Sequence, residues 1–393
     1  MPAAPPSDLV IRGGFRPGGA ATDQLRIVGG RIADGSGREP AVTHATTIDA
    51  DGLHVAPGFV DLQVNGGYGI DLATEPESMW ELAHLLPRHG VTSFLPTIIS
   101  SPSAVTDRAL AALAERPDDH RGAEPLGLHF EGPMLNPDRA GAHDLGNLVA
   151  PDRQLVATWS RNNGVALVTL APELPGAVEV IEHLMAGGVV VSAGHSTATA
   201  GEAAAAFDAG VSMGTHLFNA MSPMGHRAPG LTGAALADER ITVGLIVDGV
   251  HVDPVVVKVA WRAKGPDRVV LVTDAVAAQG LGPGRHRLGD RTVIADAMGV
   301  RTDAGVLAGS ALTMDRAVAN LVEFTGCTLA DALAAATRTP ATVIGAIDRG
   351  HLGPGAAADV VLLEPDGSAA LTICRGHIAH VTDGAAARIA GGR

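Results

Sequence analysis

The chain has 393 residues, of which 46% are hydrophobic and 18% charged, and its formal net charge at pH 7 is −14. This composition is typical of a globular protein with a large buried core, and the length favours one large domain with a smaller one beside it. The negative charge disfavours partners with phosphate backbones or acidic headgroups. Neither nucleic acid nor a membrane surface is therefore an expected partner.

The cysteine content is low and scattered. Cys327 and Cys374 lie far apart in the sequence, which argues against a disulfide framework and against a thiolate metal site. The first residues lack the basic and apolar segments of a secretory signal, and no segment approaches the roughly 18 apolar residues that span a bilayer. We expect a protein of the reducing cytoplasm.

Short β-rich segments alternate with longer helix-compatible segments through most of the chain. Hydrophobic patterning predicts eight strands, at 58–64, 91–97, 125–131, 165–171, 189–195, 211–216, 241–248 and 268–274. Amphipathic patterning predicts helices between several of them, at 77–89, 103–115, 177–186, 199–209 and 254–264.

The predicted strands are almost continuously apolar, as in VVVSAG and RVVLVTDA. Such strands suit a parallel sheet covered on both faces, and eight strand–helix units predict a closed (β/α)8 barrel. A doubly wound open sheet is the competing architecture. It is disfavoured because no glycine-rich phosphate-binding fingerprint follows the first strand.

The two ends of the chain alternate strand and turn signals without helices between them. We therefore predict a small β-sandwich domain built from residues 1–57 and 352–393, beside a catalytic barrel of residues 58–351. Residues 279–301 are predicted to form a loop or a hairpin after the eighth strand.

Polar residues end five of the predicted strands or follow them closely: Glu131, His195, His216, His251 and Asp274. In eight-stranded barrels the active site gathers at the carboxyl ends of the strands. A single histidine there is more often structural than catalytic. A carboxylate in an apolar strand is the stronger signal, because burying an unpaired charge is costly.

A catalytic zinc ion needs about three protein ligands and an open position for water. Glu131, His195 and His216 form the best trio, and the activated water would attack the substrate. Asp274 is then the expected general base, which takes a proton from the water and returns it to the leaving group.

The first strand ends in the segment GFVDLQVNGG, where many metal hydrolases of similar layout have a His-x-His pair. Gln63 and Asn65 lie two residues apart and should project into the same cavity. Amide oxygens are weak ligands for zinc. The pair indicates a hydrolase that lost one of two metal positions and kept the other.

These segments also carry a family resemblance. PGFVDLQVNGG, HFEGPMLNPDRAGAHD, GHST, GTHLFNAMSPM, VDGVH, LVTDA and LAGSALTMDRAV resemble, in order, segments of the N-acetylglucosamine-6-phosphate deacetylase family of the amidohydrolase superfamily. The likeness covers most of the chain. It implies a (β/α)8 barrel with a β-sandwich, and removal of acetate from N-acetylglucosamine 6-phosphate.

By position, the resemblance assigns Glu131, His195 and His216 as metal ligands and Asp274 as the acid/base. Some members of the family have Gln-x-Asn on the first strand, as this chain does. The resemblance to them implies one metal ion per subunit, with Gln63 and Asn65 as hydrogen-bonding residues of the cavity wall. Zn²⁺ is the expected ion, although Fe²⁺ or another divalent ion suits the same nitrogen and oxygen ligands. The resemblance also implies a homodimer.

The phosphorylated end of the substrate has candidate contacts as well. The backbone amides of Asn219 and Ala220 follow His216, and Arg227 is the cation of the next segment, MSPMGHRAPG. Without the resemblance Arg227 would be assigned as a solvated loop residue. His143 and His251 resemble the family's substrate-contacting histidines, and His251 is expected to polarise the acetyl carbonyl.

Three alternatives stay open from the sequence. The enzyme could deacetylate the galactosamine 6-phosphate epimer, or be another amidohydrolase acting on a cyclic amide, an acylated amino acid or a nucleobase. A non-catalytic binding protein on the same barrel is the alternative of a different class. Joint presence of Glu131, His195, His216 and Asp274 argues against the last of these.

Overall fold

The computed structural model describes residues 8–16, 18, 24–34, 45–288 and 291–390. Its centre is a barrel of eight parallel strands whose residues are almost all buried. The barrel strands, in chain order, are Phe59–Val64, Val91–Ile99, Leu128–Glu131, Val165–Leu170, Val190–Ala193, Met213–Gly214, Thr242–Leu245 and Val269–Leu271. A short strand, Glu124–Pro125, adds to the second of them in parallel.

Each barrel strand pairs with the next one in the chain. The circle is closed by a parallel bridge between Val64 and Ala275, and by the N–H of Asp274, which donates to the carbonyl of Gln63 at 3.0 Å. The predicted eight-stranded barrel is confirmed. The doubly wound alternative is wrong, because its sheet would have two open edges.

The helices surround the barrel. The described α-helices are Met79–Leu85, Ser103–Ala114, Ala177–Ala186, Ala200–Ala209, Gly230–Ala237, Pro254–Lys264, Met314–Thr325, Leu329–Ala336 and Arg338–Val343. All five predicted helices are confirmed to within a few residues, because their apolar spacing follows the helical repeat. None of the described helices is long and apolar enough to cross a membrane.

The connection between the third and fourth barrel strands has no α-helix. Residues 132–164 instead contain the short 3₁₀ turns Pro137–Arg139, Leu145–Asn147 and Arg161–Asn163. The first part of this connection, which we call the 136–143 loop, lies over the carboxyl ends of the strands. Backbone and side chains of this loop are therefore available to the site.

Strands from both ends of the chain form two sheets around a second hydrophobic core. One sheet contains Ile389–Ala390, Thr46–Asp49, Leu9–Arg12, Gln24–Val28 and Arg31–Ile32; the other contains His377–Val381, Ala369–Cys374, Val360–Leu363 and His54–Pro57. This confirms a β-sandwich made from both ends. The predicted boundaries at 57 and 352 stay a prediction, and residues 1–7, 17, 19–23 and 35–44 of the first segment lie outside the described part.

A three-stranded antiparallel sheet follows the eighth barrel strand, where the sequence predicts a loop or a hairpin. Its strands are Gly284–Leu288, Arg291–Asp296 and Gly299–Thr302. Apolar residues of this sheet form a small core with Val276 and Ala278, and Ala142 of the 136–143 loop packs against it. The sheet thus becomes one wall of the cavity at the barrel mouth.

Candidate active site

The barrel mouth, where the carboxyl ends of the strands meet, brings together the residues singled out from the sequence. Glu131 is the last residue of the third strand, while His195, His216 and Asp274 follow the fifth, sixth and eighth strands. The last three residues have positive φ angles of 48°, 31° and 50°. Such angles are costly for residues other than glycine and concentrate at functional sites.

Three ligand atoms converge at the centre of the mouth. Glu131 Oε1 lies 3.1 Å from His195 Nε2 and 3.0 Å from His216 Nε2, and the two ring nitrogens are 3.1 Å apart. Ligand bonds of ~2.0–2.1 Å at tetrahedral angles give ligand–ligand separations of roughly 3.3 Å. The trio therefore has the composition and the spacing of a site for one divalent ion.

The ring orientation of His195 is fixed from behind. Its Nδ1 donates to the carbonyl of Arg139 at 2.8 Å, so in the neutral ring the lone pair is on Nε2, which faces Glu131 and His216. Hydrogen bonds of this kind orient the histidines of metal sites. The Nδ1 of His216 is buried without an acceptor among the described residues.

Burial of Glu131 would by itself raise its pKa. The contacts of its carboxylate with His195 and His216, and the charges of His195 and His143, instead hold the pKa of Glu131 well below its ordinary value. Burial would lower the pKa of His216, but the hydrogen bond to Glu131 and the charges of Glu131 and Asp274 raise it. Both shifts indicate that positive charge is favoured beside the Glu131 carboxylate.

Gln63 and Asn65 both turn their amide nitrogens toward carboxylates. Gln63 Nε2 donates to Glu131 Oε1 at 3.1 Å and to Asp274 Oδ1 at 3.0 Å, and Asn65 Nδ2 donates to Asp274 Oδ1 at 2.6 Å. Because a carboxylate only accepts hydrogen bonds, these contacts fix which end of each amide faces it. Amide N–H groups therefore occupy the side of the cavity where a His-x-His pair would place ring nitrogens.

Asp274 is buried, and its ionisation is shifted toward neutral pH. Burial and the charge of Glu131 raise the pKa of Asp274 to about 6, while His216, His251 and the hydrogen bond from Asn65 lower it less. Both side-chain hydrogen bonds to Asp274 from the described residues go to Oδ1. Oδ2 is therefore the oxygen left for a water molecule or a substrate.

Two further histidines line the cavity, each oriented by a group that the sequence analysis missed. His251 Nδ1 donates to Asp248 Oδ2 at 2.6 Å, which leaves Nε2 for the cavity. His143 Nδ1 accepts from the backbone N–H of Ser100 at 3.2 Å. Its Nε2 lies 3.9 Å from Glu131 Oε2. Burial and the charge of His195 lower the pKa of His143 to about 3, so this ring is neutral.

The spacing Asp248–Gly–Val–His251 could have indicated the orienting carboxylate. In a turn, an aspartate side chain can accept hydrogen bonds from the residue three positions later. Ser100 offered no such signal, since it meets His143 only across 43 residues of sequence. His129 is buried below the mouth and contacts Thr169 Oγ1 at 2.8 Å and the carbonyl of Leu62 at 3.2 Å.

The cavity at the mouth has a volume of about 300 Å³. Asn219 and Ala220 line it together with the metal-site residues, Asn65, His143, His251 and Asp274. The N–H of Asn219 donates to the carbonyl of His216 at 3.0 Å, so this amide is already used within its own turn.

Arg227 lies elsewhere in the monomer. It is exposed, its Nη1 contacts His226 Nε2 at 2.7 Å, and it lines a separate surface cavity with Ser222 and Met224. The structure of one chain does not bring Arg227 to the barrel mouth.

Comparison with known proteins agrees with this architecture. Residues 54–379 match the model of the amidohydrolase family, which covers most of the chain. Barrel, mouth and donor set therefore define the class as a metal-dependent amidohydrolase.

Several similar proteins found by sequence and structure comparison share a more specific name. N-acetylglucosamine-6-phosphate deacetylase of Bos taurus is 39% identical over 89% of this chain and 90% of its own length. That of Bacillus subtilis is 36% identical over 90% and 91%. The Thermotoga maritima deacetylase structure superposes with a TM-score of 0.85 at 30% identity, covering 95% of this chain and 100% of that one.

A mutant N-acetyl-D-glucosamine-6-phosphate deacetylase of Mycobacterium smegmatis, solved in complex with N-acetyl-D-glucosamine-6-phosphate, also superposes with a TM-score of 0.85. It is 32% identical and covers 96% of this chain and 100% of its own. The chain belongs to the amidohydrolase family and, within it, to the family of N-acetylglucosamine-6-phosphate deacetylases.

Proposed function

We propose that this chain hydrolyses N-acetyl-D-glucosamine 6-phosphate to D-glucosamine 6-phosphate and acetate, in amino-sugar catabolism and recycling. The observation that supports this most directly is the convergence of Glu131, His195 and His216 beside Asp274 in one buried cavity. The relatives that share the whole architecture have this activity in their names.

Glu131, His195 and His216 would hold one divalent ion, for which we propose Zn²⁺; Fe²⁺ suits the same nitrogen and oxygen donors. When bound, such an ion supplies Lewis acidity, which lowers the pKa of a coordinated water and polarises an acyl carbonyl. Gln63 and Asn65 limit the site to one ion, because their N–H groups repel a second cation. Elemental analysis of the purified protein should find about one ion per chain; a metal-free, inactive protein would favour the binding-protein alternative.

Asp274 is the general acid/base of this proposal. Its Oδ2 takes the proton of the attacking water and returns it to the departing amine nitrogen of the sugar. The raised pKa of about 6 suits both steps near neutral pH, since the group must lose and regain a proton in each cycle. Gln63 and Asn65 hold Oδ1, so the orientation of Oδ2 is set in advance.

His251 and His143 are assigned to the substrate. His251 is held by Asp248 with Nε2 toward the cavity, where it would contact the acyl oxygen. His143 is neutral and presents Nε2–H, which suits a sugar hydroxyl or the acyl group. Ala220, together with Asn219, lines the same cavity and is assigned to the phosphate end.

The test compares N-acetylglucosamine with and without its 6-phosphate, using the metal-loaded full chain. We expect a strong preference for the phosphorylated sugar, measured as kcat/KM. Equal rates on the two substrates would remove the phosphate from the proposal. N-acetylgalactosamine 6-phosphate belongs in the same assay, because the cavity contacts named here do not distinguish the epimers.

We assign the protein to the cytoplasm as a homodimer. Cys327 and Cys374 are both free thiols, which suits a reducing compartment. In the dimer, Arg227 would reach the cavity of the partner subunit, since it does not line its own. Light scattering gives the oligomeric state directly, and a monomer active at all concentrations would remove this role of Arg227.

A further inference from the structure

The cavity at the barrel mouth is rich in carboxylates and poor in cations. Glu131, Asp274 and Asp138 line it, and Arg139 is the single lysine or arginine among its described lining residues. A phosphate monoester entering this cavity meets negative charge on a protein that is already strongly acidic. Binding of such a group requires a nearby positive side chain.

Arg139 is free to supply that charge. Its Nε is buried without a hydrogen-bond acceptor, and none of the ion pairs between described residues involves its guanidinium. Most arginines of this protein near a carboxylate are paired with it, as Arg108 is with Glu77 at 2.6 Å. A buried donor without an acceptor is costly, so a rearrangement that turns this side chain toward an arriving anion would be favourable.

The backbone of Arg139 is firmly placed. The 3₁₀ turn Pro137–Arg139 begins at Asn136, whose side chain accepts from the N–H of Asp138 at 2.9 Å and whose own N–H donates to the carbonyl of His195 at 3.0 Å. The carbonyl of Arg139 in turn accepts from His195 Nδ1. The backbone of Arg139 is therefore anchored on both sides to a metal-site histidine, which fixes where its side chain leaves the cavity wall.

The other groups available to a phosphate are few. Asn219 uses its N–H and its Nδ2 on carbonyls of its own turn. The loop of Ala220 contacts the same segment as Arg139 does: the carbonyl of Ala220 accepts from the N–H of Ser196 at 3.0 Å, next to His195. Arg139 and Ala220 therefore flank one short segment of the cavity wall.

We propose that Arg139 is the cation of this chain that binds the phosphate group of the substrate, and so determines the preference for phosphorylated amino sugars. This inference rests on the proposed function. It adds a residue of the same subunit to the phosphate site, whereas Arg227 is exposed and outside the cavity.

The experiment uses the full-length, metal-loaded protein and the variants Arg139→Gln and Arg139→Lys. Arg139→Gln is expected to lower kcat/KM for N-acetylglucosamine 6-phosphate by about 10- to 100-fold, mostly through KM, and to lower the ratio of kcat/KM for the phosphorylated and unphosphorylated sugars by a similar factor. Arg139→Lys should recover part of the loss because it keeps the charge. Inorganic phosphate, used as a competitive inhibitor, should weaken in parallel in Arg139→Gln.

Arg153→Gln is the matched control, because Arg153 is exposed and outside the cavity. Wild-type kinetics in that variant, with unchanged metal content in Arg139→Gln, would assign the effect to the phosphate contact. Equal losses on both sugars would overturn the proposal, since they would indicate disturbance of His195 through the loop. Unchanged phosphate preference in Arg139→Gln, with its loss in Arg227→Gln, would overturn it as well. If the wild-type protein does not cleave the phosphorylated sugar, the proposed function itself fails first.

Discussion

Two regions of the molecule bury carboxylates in different ways. Between the barrel and the small sheets, Asp359 is buried against the guanidinium of Arg349, and its other oxygen accepts from the N–H of Arg375 at 2.8 Å. At the barrel mouth, Glu131 and Asp274 are buried against imidazoles and amides alone.

The difference separates a structural site from a functional one. A guanidinium pairs with a carboxylate in a fixed geometry and places a permanent positive charge beside it. Imidazole and amide groups satisfy the hydrogen bonds of Glu131 and Asp274 without a permanent positive charge. The barrel mouth therefore still favours binding of a cation. The positive φ angles of His195, His216 and Asp274 occur in the same region, which indicates that the fold accepts strain there.

The largest effect should come from removing a proposed metal ligand. Glu131→Gln deletes the negative charge on which both histidines converge, so we expect the variant to lose most of its metal and nearly all activity. Elemental analysis after dialysis checks the first outcome, and an acetate-release assay the second. Retention of one ion per chain with wild-type turnover would show that the trio does not hold the metal.

Asp274→Asn should affect turnover and spare the metal. The new amide oxygen can still accept from Gln63 and Asn65, whereas the nitrogen in place of Oδ2 cannot take a proton. We expect kcat to fall by about 10²–10⁴-fold with metal content unchanged. A fully active variant would show that Asp274 is not the acid/base.

Arg349→Met probes the structural pair. It leaves Asp359 buried without its guanidinium, and we expect the free energy of unfolding to fall by about 3–5 kcal/mol, measured by urea denaturation. Arg31→Met is the matched control, because the ion pair of Arg31 with Asp348 is exposed, with 58% and 42% of the side chains accessible. Its loss should cost about 1 kcal/mol or less.

The double variant Arg349→Met/Asp359→Leu sharpens this test. If the cost of Arg349→Met comes from the unpaired charge, removing that charge should recover part of the stability. No recovery would mean that packing of the arginine side chain, and not charge compensation, dominates at this junction.

The smallest effect concerns Asp61, which lies below the mouth. Its Oδ2 accepts from Thr273 Oγ1 at 2.6 Å, and burial raises the pKa of Asp61 from its ordinary 3.8 to about 7. Between these values the folded protein binds more protons than the unfolded chain. Stability contributed by this group is therefore present at low pH and lost as the pH rises toward 7.

Asp61→Asn should remove that dependence. Compared with the wild-type protein, the variant should lose less stability between pH 5 and 7, by at most about 1.4 kcal/mol per pH unit. Urea unfolding of both metal-free proteins across this range checks the difference. Parallel pH profiles would show that Asp61 does not titrate in this window.

Much of this architecture was predictable from local patterns. The helices at 177–186 and 254–264 have the predicted bounds, because their apolar spacing and flanking residues act within a few positions. The barrel strands were also placed correctly, although most are shorter than predicted. The chain leaves the sheet after the last hydrogen bond between neighbouring strands. The hydrophobic pattern of the sequence does not mark that residue.

The contacts of the site were harder to predict. Gln63 meets Asp274 across 211 positions, and Arg139 meets His195 across 56. Nothing local indicates that the carbonyl of Arg139 fixes the tautomer of His195. The helix Gly230–Ala237 was missed because its residues are small and lack an amphipathic pattern.

By itself, the sequence determined the barrel class, the family and the identity of the polar residues at the strand ends, because these depend on residue type, order and short-range periodicity. Only the tertiary structure decided which lone pairs converge, which amide end faces Asp274, and that Arg139 lines the cavity while Arg227 does not. The physical reason is that hydrogen bonding and charge compensation act over a few ångströms in space, between residues that strand closure brings together from distant parts of the chain.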